Sequence, residues 1–167
     1  VEWLVETGAS LTATDMHGNT PMSDALTHKQ DEIAGYLRSH GCRVVGAAGL
    51  LCGAAAENDL AQLQRLISNR CDPNESDYDS RTAIHLAASN GHLDCVRYLI
   101  SQWAAPNPID RWGGTPLSDA IRHDHKDIQR YMMSVSGKIG SSDVGGVLCQ
   151  LAFDGNIEQL RTWCVTC

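Results

Sequence analysis

Apolar residues recur along this chain in short helical groups separated by polar turns. In residues 82–100 a short alanine-rich helix begins at Thr82, the chain reverses at residues 90–92, and a second apolar helix follows. The same apolar pattern lies 33 residues earlier in the chain. The matched positions are Leu51, Ala54, Ala55, Leu60, Leu63, Leu66 and Ile67 in the earlier copy, and Ile84, Ala87, Ala88, Leu93, Val96, Leu99 and Ile100 in the later one. A fixed step of this length predicts stacked modules of paired helices.

A second pair of related segments lies 95 residues apart, at residues 15–41 and 110–136. Both contain a Thr-Pro pair followed by an apolar helical stretch, which begins at Thr20 in the first segment and at Thr115 in the second. Each threonine is predicted to cap a helix, because its hydroxyl can accept a hydrogen bond from a free backbone N–H. The following proline suits the first helical position, where no hydrogen bond is lost.

The remaining segments extend the repeat towards both ends. Residues 1–10 match residues 96–105, which predicts the second helix and exit loop of a unit whose beginning is missing. Residues 147–161 match residues 50–64 at an offset of 97, so the units group into a longer cycle of about three. A connector is predicted at residues 42–50, and the Ser- and Gly-rich residues 134–146 are predicted to form a loop.

The two copies at residues 77–100 and 110–133 follow the pattern D-x-x-G-x-T-P-L-H-x-A-A-x-x-G-H. The chain therefore resembles the ankyrin repeat family, which has this period and motif. The resemblance implies an all-α solenoid of stacked helix-turn-helix units with β-turn fingers. It implies one domain over residues 1–167 that is truncated at both ends, with units at residues 1–14 (partial), 15–45, 46–78, 79–111, 112–145 and 146–167 (partial).

Individual repeats also resemble parts of larger proteins. The segments 77–100 and 107–125 are similar to the ankyrin tails of glutaminases, and residues 50–66 are similar to the tails of glutaminases and of ankyrin-bearing asparaginases. Similar runs follow the channel domain of some plant outward-rectifying potassium channels. A glutaminase tail holds one such three-unit cycle, whereas this chain holds nearly two, and no amidohydrolase catalytic sequence is present.

Partner-binding residues are implied by the resemblance, since ankyrin partners contact the fingertips and the concave face of the first helices. The fingertip positions are Met16, His17, Asn19, Tyr78, Asp79, Arg81, Arg111 and Trp112. The concave-face positions are Asp24, His28, Ser89, Asn90, Asp119, Arg122 and His123. Trp112 with Arg111 is the strongest candidate, because interface hot spots favour Trp, Tyr and Arg. The alternative is that Trp112 packs on the neighbouring finger.

Structural roles are implied for Thr20, Thr82, His85, Gly91, His92 and Thr115. The family's Thr–His hydrogen bonds between units are expected only at Thr82 and His85, because Ser23, Cys52 and Ser118 occupy the histidine position in the other units. The unit that contains His85 is therefore expected to be the best ordered.

Charge and hydropathy narrow the range of partners. The net charge of −7 disfavours nucleic acid and anionic membrane surfaces. The longest apolar run, at residues 44–56, is too short to span a bilayer.

The seven cysteines include Cys164 and Cys167 in a C-x-x-C pair, for which a redox role stays open. We interpret the cysteines as reduced thiols of an intracellular, cytoplasmic protein without a signal peptide.

The cluster His123-Asp124-His125 has the composition of a metal or acid–base site, but successive residues of a helix point apart. No phosphate-binding loop or nucleophile elbow is present in the sequence, so we expect no metal, no cofactor and no catalysis in this segment. The predicted function is recognition of a protein partner by a scaffold or adaptor. The alternatives are an accessory tail of a glutaminase- or asparaginase-like amidohydrolase and the cytosolic tail of a potassium channel, which would supply a catalytic or channel domain in cis.

Overall fold

The computed structural model describes residues 2–16, 18–140, 144–153 and 155. Its helices are α1 (Glu2–Glu6), α2 (Pro21–Thr27), α3 (Asp31–Ser39), α4 (Ala47–Ala56), α5 (Leu60–Ser68), α6 (Ala83–Ser89), α7 (Leu93–Ser101), α8 (Pro116–Arg122), α9 (Lys126–Ser134) and α10 (Val144–Phe153). Within these residues the β-type pairing is limited to an isolated antiparallel bridge between Ser76 and Thr82. The all-α class predicted from the sequence is confirmed.

The helices form antiparallel pairs that stack side by side. The helices of each pair α2/α3, α4/α5, α6/α7 and α8/α9 contact each other. The first helices also contact in series, from α4 to α6, α8 and α10, and the second helices do so from α5 to α7 and α9. Each pair therefore buries its apolar surface against its neighbours, as expected of a solenoid. The predicted boundaries between units stay a prediction.

The core combines small residues on the first helices with large apolar residues from both helices of each pair. Ala55, Ala87 and Ala88 are fully buried, which lets the neighbouring first helices approach closely. Leu66 and Leu99, on the second helices α5 and α7, are also fully buried. The apolar faces read from the 33-residue repeat are thus the faces that pack.

Local sequence sets where the first helices begin. The hydroxyl of Thr20 accepts a hydrogen bond from the N–H of Ser23 at 3.2 Å, and the hydroxyl of Thr115 accepts from the N–H of Ser118 at 3.3 Å. A proline follows each threonine at the start of the helix, where its missing N–H costs nothing. The predicted capping role of these threonines is confirmed.

Two helices begin earlier than the sequence pattern indicated. Helix α4 begins at Ala47, inside the predicted connector. Gly46 precedes it with a left-handed φ of +69°, which glycine adopts without strain, and Ala47 and Ala48 are strong helix formers. Helix α10 begins at Val144, inside the predicted loop of residues 134–146. The glycines next to Val144 had favoured the loop prediction.

Long polar side chains also join the α2/α3 pair to the α4/α5 pair, beside the apolar core that the two pairs share. Arg65 on α5 pairs with Asp31 on α3, with Nε–Oδ1 and Nη2–Oδ2 distances of 2.5 and 3.3 Å. The Nε2 amide of Gln62 donates to the carbonyl oxygen of Leu26 at 3.0 Å. The Arg65–Asp31 pair holds the pKa of Asp31 below its usual value, chiefly through the hydrogen bond from Arg65.

Candidate functional site

Three short turns, here called fingers, precede helices α2, α6 and α8 at residues 15–19, 77–81 and 110–114. In each finger the leading aspartate accepts a hydrogen bond from the backbone N–H four residues later, at distances of 2.8, 2.9 and 2.7 Å. The backbone N–H of the same aspartate donates to the carbonyl oxygen of that later residue. The acceptors are Asp15, Asp77 and Asp110. Each finger is therefore a closed turn fixed by one carboxylate.

The carboxylate of Asp77 shows how firmly such a turn is held. Burial acts to raise the pKa of Asp77, but the backbone N–H groups of Arg81 and Asp79 outweigh it together with the Arg81 guanidinium. The net effect holds the pKa of Asp77 below its usual value. The ionised carboxylate is the form that accepts these hydrogen bonds, so the turn and the charge stabilise each other.

One position on helices α4, α6 and α8 links the unit to the backbone of the next. On α6 this position is His85, whose Nε2 lies 3.4 Å from the carbonyl oxygen of Gly114. On α4 the Cys52 thiol donates to the carbonyl oxygen of Arg81 at 3.6 Å. On α8 the Ser118 hydroxyl accepts from the N–H of Gly140 at 3.2 Å. The expected Thr–His hydrogen bond is present at Thr82 and His85, where the hydroxyl lies 3.1 Å from Nδ1, although it lies within one unit rather than between units. At the other two positions a thiol and a hydroxyl make the link to the next unit.

The hydrogen bonds of His85 define its protonation state. Its Nδ1 accepts from the backbone N–H of Thr82 at 3.1 Å and so carries no proton, which leaves Nε2–H to donate to Gly114. Burial lowers the pKa of His85, partly offset by the Gly114 carbonyl and the nearby Asp110. The neutral imidazole is thus the structural form, with both nitrogens engaged.

Turn histidines form a second series of links between units. The Nε2 of His92 lies 3.0 Å from the carbonyl oxygen of Ala56, and the Nε2 of His125 lies 2.9 Å from that of Ser89. Gly91 has a φ of +83°, and a Cβ there would lie 2.8 Å from Cε1 of His125. Gly91 therefore meets two requirements, a left-handed backbone and space for the next imidazole.

An ion pair joins the second finger to the third. The Arg111 guanidinium contacts Asp79 with an Nη1–Oδ1 distance of 2.8 Å, and the Arg111 N–H donates to the Asp79 carbonyl oxygen at 2.8 Å. Asp79 is buried and also lies 3.8 Å from Arg81. These contacts fix the orientation of the third finger and of Trp112, whose side chain remains 62% exposed.

A cleft of about 210 Å³ lies between the second and third fingers and helices α6 and α8. Six of the predicted partner-binding residues line it, and they come from two neighbouring units. They are Arg81, Ser89, Trp112, Asp119, Arg122 and His123, and His85, Leu86 and Asp110 complete the lining. The structure thus brings together residues that lie up to 42 positions apart in the sequence.

The other predicted contact residues lie elsewhere. Tyr78 is 84% exposed at the tip of the second finger, and Met16 is exposed at the tip of the first, where Asn19 closes the turn. Asp24 and His28 line a separate, mostly apolar groove on α2 and α3. The Asn90 amide donates to the carbonyl oxygen of Ala56 at 3.2 Å. His17 lies outside the described residues.

Two of the expected contact residues need a correction. Asp79 and Asp119 are buried rather than displayed, because each carboxylate is paired with an arginine that reaches the surface. Asp79 pairs with Arg111, and Asp119 pairs with Arg122 at an Nη1–Oδ1 distance of 3.1 Å. These aspartates position the arginines, and their own contact with a partner stays a prediction.

Sequence reasoning missed residues that the structure places at the surface or in the cleft. Trp103 follows α7 with a left-handed φ of +67° and is 89% exposed. The corresponding residue after α3 is Gly41, with a φ of +80°, so a bulky residue in this position was a signal available in the alignment of the units. Asp110 was recognised in the repeat motif, but its place in the cleft depends on the second finger, which precedes it in the chain.

A family model of ankyrin repeats in three copies matches residues 51–143, which is more than half of the chain. The chain belongs to the ankyrin repeat family. The matched region contains the second and third fingers and the whole lining of the cleft. Ankyrin repeats are protein-interaction modules, so the general role of this region is contact with other proteins.

Curated relatives include members of different protein classes. Potassium channel KOR2 of Oryza sativa subsp. japonica is 59% identical over 108 residues, which are 65% of this chain and 15% of the channel. The mitochondrial glutaminase liver isoform of Rattus norvegicus is 44% identical over 45 residues, 27% of this chain and 8% of that enzyme. L-asparaginase of Dirofilaria immitis is 45% identical over 49 residues, 29% of this chain and 8% of that enzyme. The chain thus spans less than a sixth of each of these relatives.

The part of the chain that the structure describes contains neither a cluster of metal-ligating side chains nor a membrane-spanning helix. There, no group of three or more His, Cys, Asp or Glu side chains is arranged to hold a metal ion. The rings of His123 and His125 lie 6.3 Å apart between centroids. No helix in the same residues has the length and hydropathy needed to cross a bilayer. Cys164 and Cys167 lie outside the described residues.

Proposed function

We propose that this chain is a non-catalytic scaffold or adaptor module that holds a protein partner against its fingertips and the adjoining cleft. The observation that carries this proposal is the exposure of two aromatic side chains, Tyr78 and Trp112, on neighbouring fingers beside the cleft. The backbone of each finger is already fixed by a carboxylate, so binding a partner does not have to order the backbone that carries these side chains. Tyr, Trp and Arg are also the residues that dominate interface energetics.

The absence of catalysis is part of the proposal and is supported by how the polar groups of the cleft are used. His85, the buried imidazole, has both nitrogens engaged with backbone groups. The Oδ1 atom of Asp110 accepts two backbone N–H groups, from Trp112 at 2.9 Å and Gly114 at 2.7 Å. Groups committed to such bonds hold the fold and are poorly suited to exchange protons with a substrate.

The test is a comparison of partner binding between finger variants and a matched control. Partners cross-linked to the chain in cell extract are identified by mass spectrometry, and their Kd values are then measured with purified proteins. The double variant Tyr78→Ala/Trp112→Ala is expected to weaken binding at least about tenfold, which corresponds to about 1.4 kcal/mol. Trp103→Ala removes another exposed indole, one that does not line the cleft, and is expected to leave the Kd unchanged. Equal affinity of the double variant and the wild type would overturn the proposal.

We propose two alternative identities for the protein of which this module is a part. The tail of a potassium channel is favoured by the similarity to KOR2, which covers 65% of this chain, against 27% for the rat glutaminase. The accessory tail of a glutaminase- or asparaginase-like amidohydrolase is the other form. Sequencing the transcript upstream of Val1 distinguishes them, since a pore sequence, a hydrolase sequence or further repeats would each identify one parent.

We also propose that the module works inside the cell, in the cytoplasm, and contacts neither nucleic acid nor membrane. The cysteines at positions 42, 52, 71, 95 and 149 are all free thiols. Burial raises the pKa of Cys52 to about 11 and that of Cys71 to about 12, so both thiols stay protonated and unreactive. Free thiols are typical of a reducing compartment. Fractionation of cells that express the tagged chain tests this assignment.

A further inference from the structure

The charges of the cleft are arranged in two layers. The carboxylates of Asp110 and Asp119 form its inner layer, where both residues are buried and are neutralised by backbone N–H groups or by Arg122. The outer layer holds the Arg122 guanidinium, whose side chain is 52% exposed, and the exposed His123 lies beside it. A ligand that approaches the cleft therefore meets guanidinium and imidazole groups before it meets a carboxylate.

A second arginine adds to this outer layer. Arg81 also lines the cleft, with its side chain about one third exposed, and its Nη2 atom contacts Asp77 and Asp79. Its Nε is enclosed and has no hydrogen-bond acceptor in the structure. An anion in the cleft would lower the electrostatic cost of that enclosed group without touching it, because charges interact strongly across a poorly solvated interior.

The size of the cleft restricts the ligand further. Sites for small molecules and cofactors usually have volumes of about 300–1,000 Å³. The cleft measures about 210 Å³, which suits one or two side chains of a peptide rather than a cofactor. The indole of Trp112 forms part of its wall and offers apolar surface to the backbone of such a peptide.

From this arrangement we propose that the cleft receives the carboxylate of an Asp or Glu side chain from an extended acidic segment of the protein partner. The carboxylate lies between Arg81 and Arg122, and the partner backbone crosses Trp112. Arginine suits this role because its planar fork of N–H donors matches a carboxylate. The overall charge of −7 disfavours acidic partners elsewhere on the surface, so the cleft directs such a segment to one place. This inference rests on the proposed protein-binding function and names the chemistry of the partner.

The experiment uses the full chain and defined probes. An acetylated, amidated hexaglutamate peptide is titrated into isotope-labelled protein, and the amide shifts are compared with those from a hexaglutamine peptide. The glutamate peptide is expected to shift the amides of residues 112–123, and the glutamine peptide is expected to bind at least about tenfold more weakly, since it lacks the charge. Arg122→Gln is expected to weaken binding of the glutamate peptide about fivefold. The matched control is Arg130→Gln, an exposed arginine on α9 that does not line the cleft.

Further probes separate the sources of negative charge. A hexapeptide with phosphoserine and a single-stranded hexanucleotide are titrated in the same way. Binding of either one more than about tenfold tighter than hexaglutamate would overturn the assignment of a carboxylate. Equal binding of the glutamate and glutamine peptides, no binding of either, or shifts away from the cleft would also overturn it. Suppose that the peptide titrations fail but the Tyr78→Ala/Trp112→Ala variant loses binding to the natural partner. The proposed protein-binding function is then supported, and only the assignment of a carboxylate to the cleft is overturned.

Discussion

Replacing Gly91 with alanine tests how the turn histidines couple neighbouring units. Alanine at this position must keep a φ of +83°, which costs about 1–2 kcal/mol for a residue with a Cβ. Its Cβ would also lie 2.8 Å from Cε1 of His125, so the imidazole has to move. Movement breaks the contact of 2.9 Å between His125 Nε2 and the Ser89 carbonyl oxygen, at a cost of about 0.5–1.5 kcal/mol. We therefore expect Gly91→Ala to destabilise the protein by about 2–3 kcal/mol.

The chain offers a matched control for the steric part of this cost. Gly18 has a φ of +84°, but nothing lies within 4 Å of a Cβ built there. Gly18→Ala is therefore expected to cost only the backbone term of about 1–2 kcal/mol. Urea unfolding followed by circular dichroism measures both variants, together with Gly91→Ala in a His125→Ala background. The reasoning is refuted if Gly91→Ala costs no more than Gly18→Ala, or if removing the imidazole does not reduce the cost of Gly91→Ala.

Three other properties are open to direct measurement. Leu99→Ala removes a fully buried side chain of α7 and is expected to lower the free energy of unfolding by about 2–5 kcal/mol, and a loss under about 0.5 kcal/mol in urea melts would contradict its place in the core. Because the pKa of His85 is lowered in the folded state, its contribution to stability should be complete above the unfolded value near 6.5 and should decrease as the pH falls from there towards the folded pKa. His85→Gln, which does not titrate, should show a weaker loss of melting temperature between about pH 7 and pH 5, and an identical pH dependence would exclude His85 as the source. Ellman's reagent should react with the exposed Cys149 in the native protein, whereas Cys52 and Cys71 should react only after unfolding, and fast native labelling of either would contradict their burial.

Features set by neighbours in sequence could be predicted, and those set by the next unit could not. The caps at Thr20 and Thr115 depend on hydroxyls and N–H groups three residues apart, so the motif alone indicates them. Asp79 looked like any fingertip residue, because its burial depends on the Arg111 guanidinium 32 residues later. The sequence indicated that Cys52 loses the contact that histidine makes at this position, because it does not show that the thiol reaches the equivalent carbonyl oxygen, that of Arg81.

The candidate site was predictable as a set of residues but not as a shape. The resemblance to ankyrin repeats identified both of its exposed aromatics, Tyr78 and Trp112, and two of its arginines, Arg81 and Arg122. The cleft itself forms only when two fingers and two helices stack, so its volume and its two layers of charge have no counterpart in one unit. Trp103 escaped prediction because a left-handed position is expected to hold glycine.

The way the fingers are built has a consequence for how this module acquires new targets. Each turn is closed by an aspartate carboxylate that accepts a hydrogen bond from the backbone N–H four residues later, and this bond does not depend on the side chains at the positions of Tyr78 and Trp112. Grafting other residues at the positions of Tyr78 and Trp112 would therefore change what the surface recognises and leave the turn intact. Within one five-residue finger, the aspartate determines the turn, and the residue at the position of Tyr78 or Trp112 determines what is recognised. Binding specificity can therefore evolve without loss of the fold.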